Sequence, residues 1–478
     1  MSAIEYNNDQ NQLLKTYIEK NYFPNIFRKS KDKWEKGAPV EFIVRPECNQ
    51  KCKYCYITQH GNELYPKEKR VSKEIYLQHL EAFLNWLFDN KIFIPRYELF
   101  AGDLFADNLY YDIIDVFDKC LSKIPKDEYE DLIKEVGNAV IVTPSNCFYF
   151  QYPEHQEKMR EYTKKMLDKH HFILGISWST DGYYSADSRE DAGKKSKVDE
   201  EYYNKIFAFV KEMGYGVHPM IAPENVQYAI QNFNWWTDKF KAFDLVQKDY
   251  PYPTFLEVRN GYWTDEQILQ FTKFIRYIWD YKLKLNDNSM KRLARHLFVG
   301  DGEDDSLPTL QFYDPCVIHF AGQEDRDILG CNMASTMRVN LADLSFPICH
   351  RLTYPQFVGG HCELNNDNVI TNIIADKGLS SYMQIRTLSP QYYPKCANCD
   401  YNHACLHGCL GAQYEHSGEI LAPISCVCKL EQAKINTLLE LYVSSGMLQD
   451  SIDDIEFLEK KDWILKMAHK VGGYESEG

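Results

Sequence analysis

The chain has 478 residues, 44% of them hydrophobic and 26% charged, which is the composition of an ordinary globular protein with core enough for two or three domains. Its formal net charge of −15 disfavours a nucleic-acid partner. The sequence has no secretory signal and no apolar run approaching the ~20 residues of a membrane span, so we expect no membrane association and a cytoplasmic location. Fifteen cysteines in such a reducing compartment indicate metal or redox chemistry rather than disulfide bonds.

The first 37 residues form a predicted extension with one short helix over residues 10–20. Six short apolar runs follow, and each precedes a longer amphipathic segment of helical period. The runs are Val40–Pro46, Tyr97–Asp103, Ala139–Pro144, Ile173–Ser179, Gly216–Ala222 and Phe255–Asn260. The helical segments lie near residues 73–90, 107–122, 155–169, 200–213, 224–242 and 264–284.

This alternation of strands and helices predicts an α/β fold over residues 38–310. Six units in this length favour a partial (β/α)6 TIM-like barrel, and periodicity alone leaves open an open nucleotide-binding sheet. In either fold, the chemistry belongs at the C-terminal ends of the strands.

Beyond residue 310 the periodic pattern ends. Residues 311–430 are irregular and rich in Gly, Asn and Cys, so they are predicted to form a domain that buries little and depends on metal to fold. The last predicted region, residues 431–478, is a helical tail that reaches about His469.

A first group of cysteines directly follows the first predicted strand, in RPECNQKCKYCYITQ. Cys48, Cys52 and Cys55 have the spacing C-x3-C-x2-C. A [4Fe–4S] cluster normally takes four thiolates, so three of them leave one iron open to another ligand. A structural zinc site would need a fourth ligand nearby, for which His60 is the local candidate. The pattern favours the cluster.

This spacing after a first strand resembles that of the radical S-adenosylmethionine (SAM) superfamily. The resemblance implies that the amino and carboxylate groups of SAM bind the open iron. It also implies that an electron from the cluster cleaves SAM to methionine and a 5′-deoxyadenosyl radical, which abstracts a hydrogen atom from the substrate.

Further motifs carry the same resemblance. FAGDLF stands where the family has GGE, so Ala101, Gly102 and Asp103 would offer an edge to the methionine amino group of SAM. Ala101 departs from the family's Gly, and Asp103 departs from its Glu. The segment ISWSTDGYYSADSR is similar to a later family motif, and it implies that Ser179 and Arg189 contact the ribose and carboxylate of SAM.

One further sequence, TPSN at residues 143–146, stands in the place of a family TNG. It is equally well explained as an ordinary turn. No catalytic side chain is identified from the sequence.

A second group of cysteines resembles the signature of the SPASM domain, which binds two auxiliary [4Fe–4S] clusters. The resemblance implies a distal cluster on Cys396, Cys399, Cys405 and one late cysteine, either Cys426 or Cys428, with Cys428 favoured. It implies a nearer cluster on Cys331, Cys349 and Cys409, which is one thiolate short. Cys316 is the favoured fourth ligand, Cys362 is the alternative, and a substrate thiolate would serve if neither binds. A zinc ribbon is disfavoured because it needs two C-x2-C pairs.

The resemblance covers roughly residues 38–430 and implies three [4Fe–4S] clusters with SAM as the second cofactor. It favours a maturase that forms a thioether or carbon–carbon cross-link on a ribosomal peptide or protein. Side-chain oxidation, as in sulfatase maturation, and epimerisation are alternatives within the family. A non-catalytic electron-transfer protein is the alternative of another class. A flavodoxin- or ferredoxin-type electron donor is implied, and a separate leader-binding protein is a further expected partner.

Overall fold

The computed structural model describes residues 3–28, 33–100, 102–191, 199–245, 255–258, 262–284, 316, 318, 335–387, 393–402, 404–405, 407–448 and 458–472. The chain divides into two compact units. Unit 1 comprises residues 1–179, 190–216 and 331–388. Unit 2 comprises residues 180–189, 217–330 and 389–478. The predicted domain boundaries at residues 37, 310 and 430 stay predictions.

Unit 1 contains most of the strands. They are β1 (Glu35–Lys36), β2 (Val40–Ile43), β3 (Gln50–Cys52), β4 (Ile92–Phe93), β5 (Arg96–Phe100), β6 (Ala139–Ser145) and β7 (Phe172–Thr180, of which Thr180 belongs to unit 2). After β8 (Arg189–Asp191), at the boundary of the units, the later strands are β11 (Met337–Asn340), β12 (Ser345–Pro347), β13 (Val358–Leu364) and β14 (Ile370–Ala375). Unit 2 holds β9 (Gly216–Ile221, from Val217 onward) and β10 (Leu256–Glu257).

Helices surround these strands. In unit 1 they are α1 (Ala3–Asn21), α2 (Tyr56–Leu64), α3 (Lys73–Asp89), α4 (Leu109–Leu121), α5 (Lys126–Val136), α6 (Pro153–His170), α7 (Glu200–Met213) and α10 (Leu379–Thr387). In unit 2 they are α8 (Ala229–Ala242), α9 (Asp265–Lys284), α11 (Leu410–Ser417), α12 (Ser425–Ser444) and α13 (Leu458–Gly472). Among the described residues, no helix is long and apolar enough to cross a membrane.

The sheet of unit 1 has the order β7-β6-β5-β2-β11-β12-β13-β14. Its first five strands are parallel, as the β/α alternation predicts, and all six predicted strands and six predicted helices are present. In β7 alternate residues are buried, because successive side chains of a strand point to opposite faces of the sheet. Aromatic rings fill this core, where Phe42 stacks on Tyr97 and Phe117 packs edge-on against Tyr97.

The structure adds strands where the sequence is irregular. β11 pairs in parallel with β2, the first predicted strand, with Met337 opposite Val40. β12, β13 and β14 continue from it as an antiparallel meander. β11 and β12 have only four and three residues, β13 contains two consecutive glycines and β14 is interrupted by Asn372, so none of them shows a clear alternation in the sequence.

Unit 2 consists mainly of helices around the parallel pair β9 and β10. Helix α12 packs against α9, where Trp279 and Tyr442 meet edge to face at 4.7 Å between ring centroids. Arg276 of α9 pairs with Glu440 of α12 at the same contact. The predicted helical tail is therefore present as α12 and α13.

Candidate functional site

The first cysteine loop follows β2 in unit 1, as predicted. Cys48 lies in the loop, Cys52 ends β3, and Cys55 precedes the first residue of α2. The backbone N–H of Gln50 donates to the Cys48 Sγ over 3.4 Å, and that of Cys55 donates to the Cys52 carbonyl over 3.1 Å. Desolvation, the Asp103 carboxylate and the thiols of Cys52 and Cys55 raise the pKa of Cys48 to about 12. The three thiols therefore share one electrostatic environment.

The FAGDLF segment packs directly on this loop. The N–H of Gly102 donates to the Arg45 carbonyl over 2.9 Å, and that of Asp103 donates to the Glu47 carbonyl over 3.1 Å. A Cβ built on Gly102 would lie 1.8 Å from the Glu47 oxygen, so a side chain at this position would collide with backbone. Glycine at 102 therefore lets the strand end approach the cysteine loop. Ala101 lies outside the described residues.

The side chain of Asp103 is buried, with 1% of its surface exposed. One carboxylate oxygen accepts the N–H of Phe105 at 3.1 Å. The other accepts the Ser145 hydroxyl at 2.9 Å and the Asn146 N–H at 3.0 Å. Burial raises the pKa of Asp103 above its ordinary value, although the three donors oppose that shift. Asp103 thus links the end of β5 to the end of β6.

Asn146 extends this link to the cysteine loop. Its side-chain nitrogen lies 2.7 Å from the Asn49 Oδ1 and 3.9 Å from the Cys48 Sγ. Asn146 of the TPSN sequence is therefore part of the site. An Asn directly after a predicted strand was the available sequence signal.

The two residues predicted to contact SAM after β7 stand in different units. Ser179 lies near the end of β7 in unit 1. In unit 2, the Arg189 Nε donates to the Asp181 carboxylate over 2.8 Å, and Asp181 is 4% exposed. Arg189 is thus held by a buried acid that the sequence analysis did not single out. The SAM contacts of Ser179 and Arg189 stay predictions.

The loop between Asp181 and Arg189 is fixed by α8. The N–H of Tyr184 donates to the Asn232 Oδ1 over 3.0 Å, and the Asn232 side-chain nitrogen donates to the Ser185 hydroxyl over 2.5 Å. Gly182 has a φ of +99°, and a Cβ there would lie 2.6 Å from the Asn232 Oδ1. The glycine of this motif therefore permits both the turn and the close approach of Asn232.

The second group of cysteines lines a cavity of about 300 Å³ in unit 2. Its walls are the segment from Lys395 to Gln413 and the start of α12. The thiols in the lining belong to Cys396, Cys399, Cys405, Cys409 and Cys428. Burial, followed by the charges of Cys428 and Cys399, raises the pKa of Cys396 to about 11. Burial, followed by Glu431, also raises the pKa of Cys405. Four of the predicted distal ligands thus adjoin one space.

The structure distinguishes Cys428 from Cys426. Both lie in the first turn of α12, and residues two apart on a helix point ~200° apart. Cys428 lines the cavity and interacts electrostatically with Cys396 and Cys399, as well as with Cys405. Cys426 packs beside Cys409 on an apolar cluster of Ala412, Ile424 and Val427. This geometry favours Cys428 as the late ligand.

The structure brings the remaining predicted cluster ligands less clearly together. Cys349 lies in the loop after β12, where the N–H of Arg351 donates to its sulfur over 3.4 Å. The ring of Tyr56, directly after Cys55, lies 5.7 Å from that of His350 between centroids, so this loop adjoins the first cysteine loop. Cys316 is fully buried, with its sulfur 3.8 Å from the Ile275 carbonyl, and Cys362 is buried in β13. Cys331 lies outside the described residues.

Across the described part of the chain, no three Cys, His, Asp or Glu side chains are gathered closely enough to hold a single metal ion. The donor chemistry nevertheless fits iron–sulfur clusters at both places. One loop offers three thiols, and one cavity is lined by five.

No protein-family model matches the sequence, and the search of curated proteins finds no match either. Solved structures do match. Native anSMEcpe with bound AdoMet has a TM-score of 0.51 and 11% identity, over 87% of this chain and 100% of that chain. Native anSMEcpe with bound AdoMet and Cp18Cys peptide has a TM-score of 0.50 and 12% identity, over 87% of this chain and 99% of that chain.

At such low identity the likeness concerns the fold. Both of these anSMEcpe structures contain bound AdoMet. The predicted α/β fold with parallel strands is confirmed on this basis, because the chain shares its fold with anSMEcpe.

Proposed function

We propose that this chain is a radical SAM enzyme that modifies a peptide or protein substrate. The observation that carries the proposal is the loop of Cys48, Cys52 and Cys55, in a fold shared with an AdoMet-binding enzyme. Three thiolates leave one iron of a [4Fe–4S] cluster without a protein ligand, and SAM could bind there. In an electron carrier, by contrast, four thiolates bind all four irons of each cluster. When bound, the cluster and SAM supply a 5′-deoxyadenosyl radical, and the protein supplies binding and orientation.

The chain's own residues have assignable tasks in this proposal. Gly102 and Asp103 hold the strand end against the cysteine loop. Arg189, oriented by Asp181, would bind the carboxylate of SAM through its guanidinium, and Ser179 would contact the ribose. Cys396, Cys399, Cys405 and Cys428 would hold the distal auxiliary cluster. Cys331, Cys349 and Cys409, with Cys316, would hold the nearer one.

The substrate class is a peptide or protein side chain. It is supported by the fold shared with anSMEcpe, which has been solved with bound AdoMet and Cp18Cys peptide. Oxidation of a side chain, the reaction type of a sulfatase maturase, fits this likeness at least as well as a thioether or carbon–carbon cross-link. Epimerisation is disfavoured because its candidate hydrogen donors, the thiols of Cys147, Cys316 and Cys362, are at most 5% exposed.

Two partners belong to the proposal. A flavodoxin- or ferredoxin-type protein would deliver the electron that SAM cleavage consumes. A separate leader-binding protein would present a ribosomal precursor, if the substrate is one.

The test is anaerobic reconstitution of the full chain, followed by reduction in the presence of SAM. We expect about twelve irons and twelve sulfides per chain for three clusters, and 5′-deoxyadenosine as a product. Stoichiometric zinc, or a loaded protein that never cleaves SAM, would overturn the proposal. With a candidate peptide, mass spectrometry separates oxidation, which changes one residue, from a cross-link, which joins two fragments after proteolysis.

A further inference from the structure

Three strand-end loops of unit 1 are joined by one hydrogen-bond network. The loops follow β2, β5 and β6, which are consecutive neighbours in the sheet. The carboxyl ends of parallel neighbours lie at one edge, so the loops that follow them meet. The network runs from Asp103 through Asn146 to Asn49 and Cys48.

Asp103 is the centre of this network. Its carboxylate accepts three donors from within the chain, namely the N–H groups of Phe105 and Asn146 and the hydroxyl of Ser145. Only 1% of the residue is exposed. The three donors come from the ends of β5 and β6, so this carboxylate joins the two loops. The predicted contact of Asp103 with the methionine amino group of SAM stays a prediction.

Asn146 is held in one orientation. Its N–H donates to Asp103 over 3.0 Å, and its side-chain oxygen accepts the N–H of Phe148 at 2.9 Å. An amide oxygen that accepts an N–H cannot be exchanged with the amide nitrogen without losing that bond, so the NH2 group must point the other way. It points to the cysteine loop, 2.7 Å from the Asn49 Oδ1 and 3.9 Å from the Cys48 Sγ.

We infer that Asn146, locked in place by Asp103, is a positioning residue for the cluster ligand Cys48 and donates an N–H to its sulfur. The inference rests on the proposed function, because it takes Cys48 as a ligand of the SAM-binding cluster. Hydrogen bonds to ligand sulfurs are among the features that set the reduction potential of an iron–sulfur cluster. An N–H donated to the thiolate stabilises the more negative, reduced state, and so it raises the potential.

The test is Asn146→Leu, which keeps a similar volume and removes the donor. The full chain is reconstituted anaerobically, and the SAM-binding cluster is identified as the one whose electron paramagnetic resonance spectrum changes when SAM is added. We expect its midpoint potential to shift downward and its reduced spectrum to change, while the spectra of the auxiliary clusters stay the same.

Thr143→Val is the matched control. Thr143 lies on β6, three residues before Asn146, and donates its buried hydroxyl to the Leu99 carbonyl over 3.2 Å instead of to the network of Asp103. We expect it to leave the potential unchanged. If Asn146→Leu loads the cluster with a wild-type potential and spectrum, the inference is wrong. It is also wrong if both variants shift the potential equally, since the effect would then belong to the strand.

If Asn146→Leu folds but does not bind this cluster, while Thr143→Val binds it normally, the positioning role is supported. Binding of the cluster itself would then depend on Asn146. Circular dichroism reports the fold independently of iron. The proposed function fails in a different way: wild-type protein would then show no spectral response to SAM and no 5′-deoxyadenosine. The two failures are therefore distinguishable.

Discussion

The two groups of cysteines are held in place by different kinds of structure. The loop of unit 1 is held at a sheet edge by backbone and polar side-chain hydrogen bonds, through Gly102, Asp103 and Asn146. The described residues that line the cavity of unit 2 belong to turns and to helices α11 and α12 rather than to strands. A sheet edge positions its loops without metal, whereas short turns with little apolar core depend on their ligand. The first site should therefore survive the loss of its cluster better than the second.

The most severe effect on activity is expected from replacing Cys48, Cys52 and Cys55 together by Ala. SAM cleavage should be abolished, because no thiolate remains to hold the cluster. The auxiliary clusters and the fold should persist, since the support of this loop is the sheet. Assay of 5′-deoxyadenosine, iron content and circular dichroism check the three statements. Continued 5′-deoxyadenosine production would show that these cysteines do not hold the SAM-binding cluster. Loss of the fold would show that the sheet does not hold this loop without its cluster.

The neighbouring cysteines of α12 give a sharper test of the second site. Cys428→Ala should remove about four irons and lower solubility, because its thiol adjoins the cavity with Cys396, Cys399 and Cys405. Cys426→Ala is the matched control and should retain the iron, because this residue packs on the apolar cluster instead. Iron analysis of the two soluble variants shows which cysteine binds the cluster. The reverse pattern would assign the ligand to Cys426.

A smaller effect is expected at the C-terminal helix. Trp463 of α13 is 7% exposed and donates its Nε1–H to the carbonyl of Asp400, which follows Cys399, over 2.6 Å. Lys466 and Lys470 pair with the carboxylate of the same Asp400. Trp463→Phe should cost about 1 kcal/mol of stability and speed the loss of iron from the distal cluster to a chelator.

Trp34→Phe is the corresponding change in unit 1, where the indole donates to the Glu128 carboxylate over 3.1 Å. It should leave the rate of iron loss unchanged, because that tryptophan does not contact a cysteine turn. Equal rates in the two variants would mean that α13 does not stabilise the distal site.

Many of the strands and helices were predictable because their signals are local. The strand Ile173–Ser179 alternates in the sequence and is buried on alternate residues in the structure. The helix near residues 73–90 places Leu80, Phe83 and Leu87 on one buried face, as its helical period predicts. The strands β11–β14 were missed because β11 and β12 are very short and β13 and β14 are interrupted by Gly and Asn. β11 is stabilised by pairing with β2 almost three hundred residues earlier.

The candidate site divides in the same way. The sequence by itself determined which thiols belong together, since Cys48, Cys52 and Cys55 lie within eight residues and Cys396 to Cys409 within fourteen. Only the tertiary structure decided that Asp103 contacts Ser145 and Asn146, that Asp181 holds Arg189, and that Cys428 rather than Cys426 adjoins the cavity. Spacing along the chain limits which neighbours a short loop can bring together. Contacts between loops of different strands, and the face that a helix presents, arise only when the sheet and helices have packed.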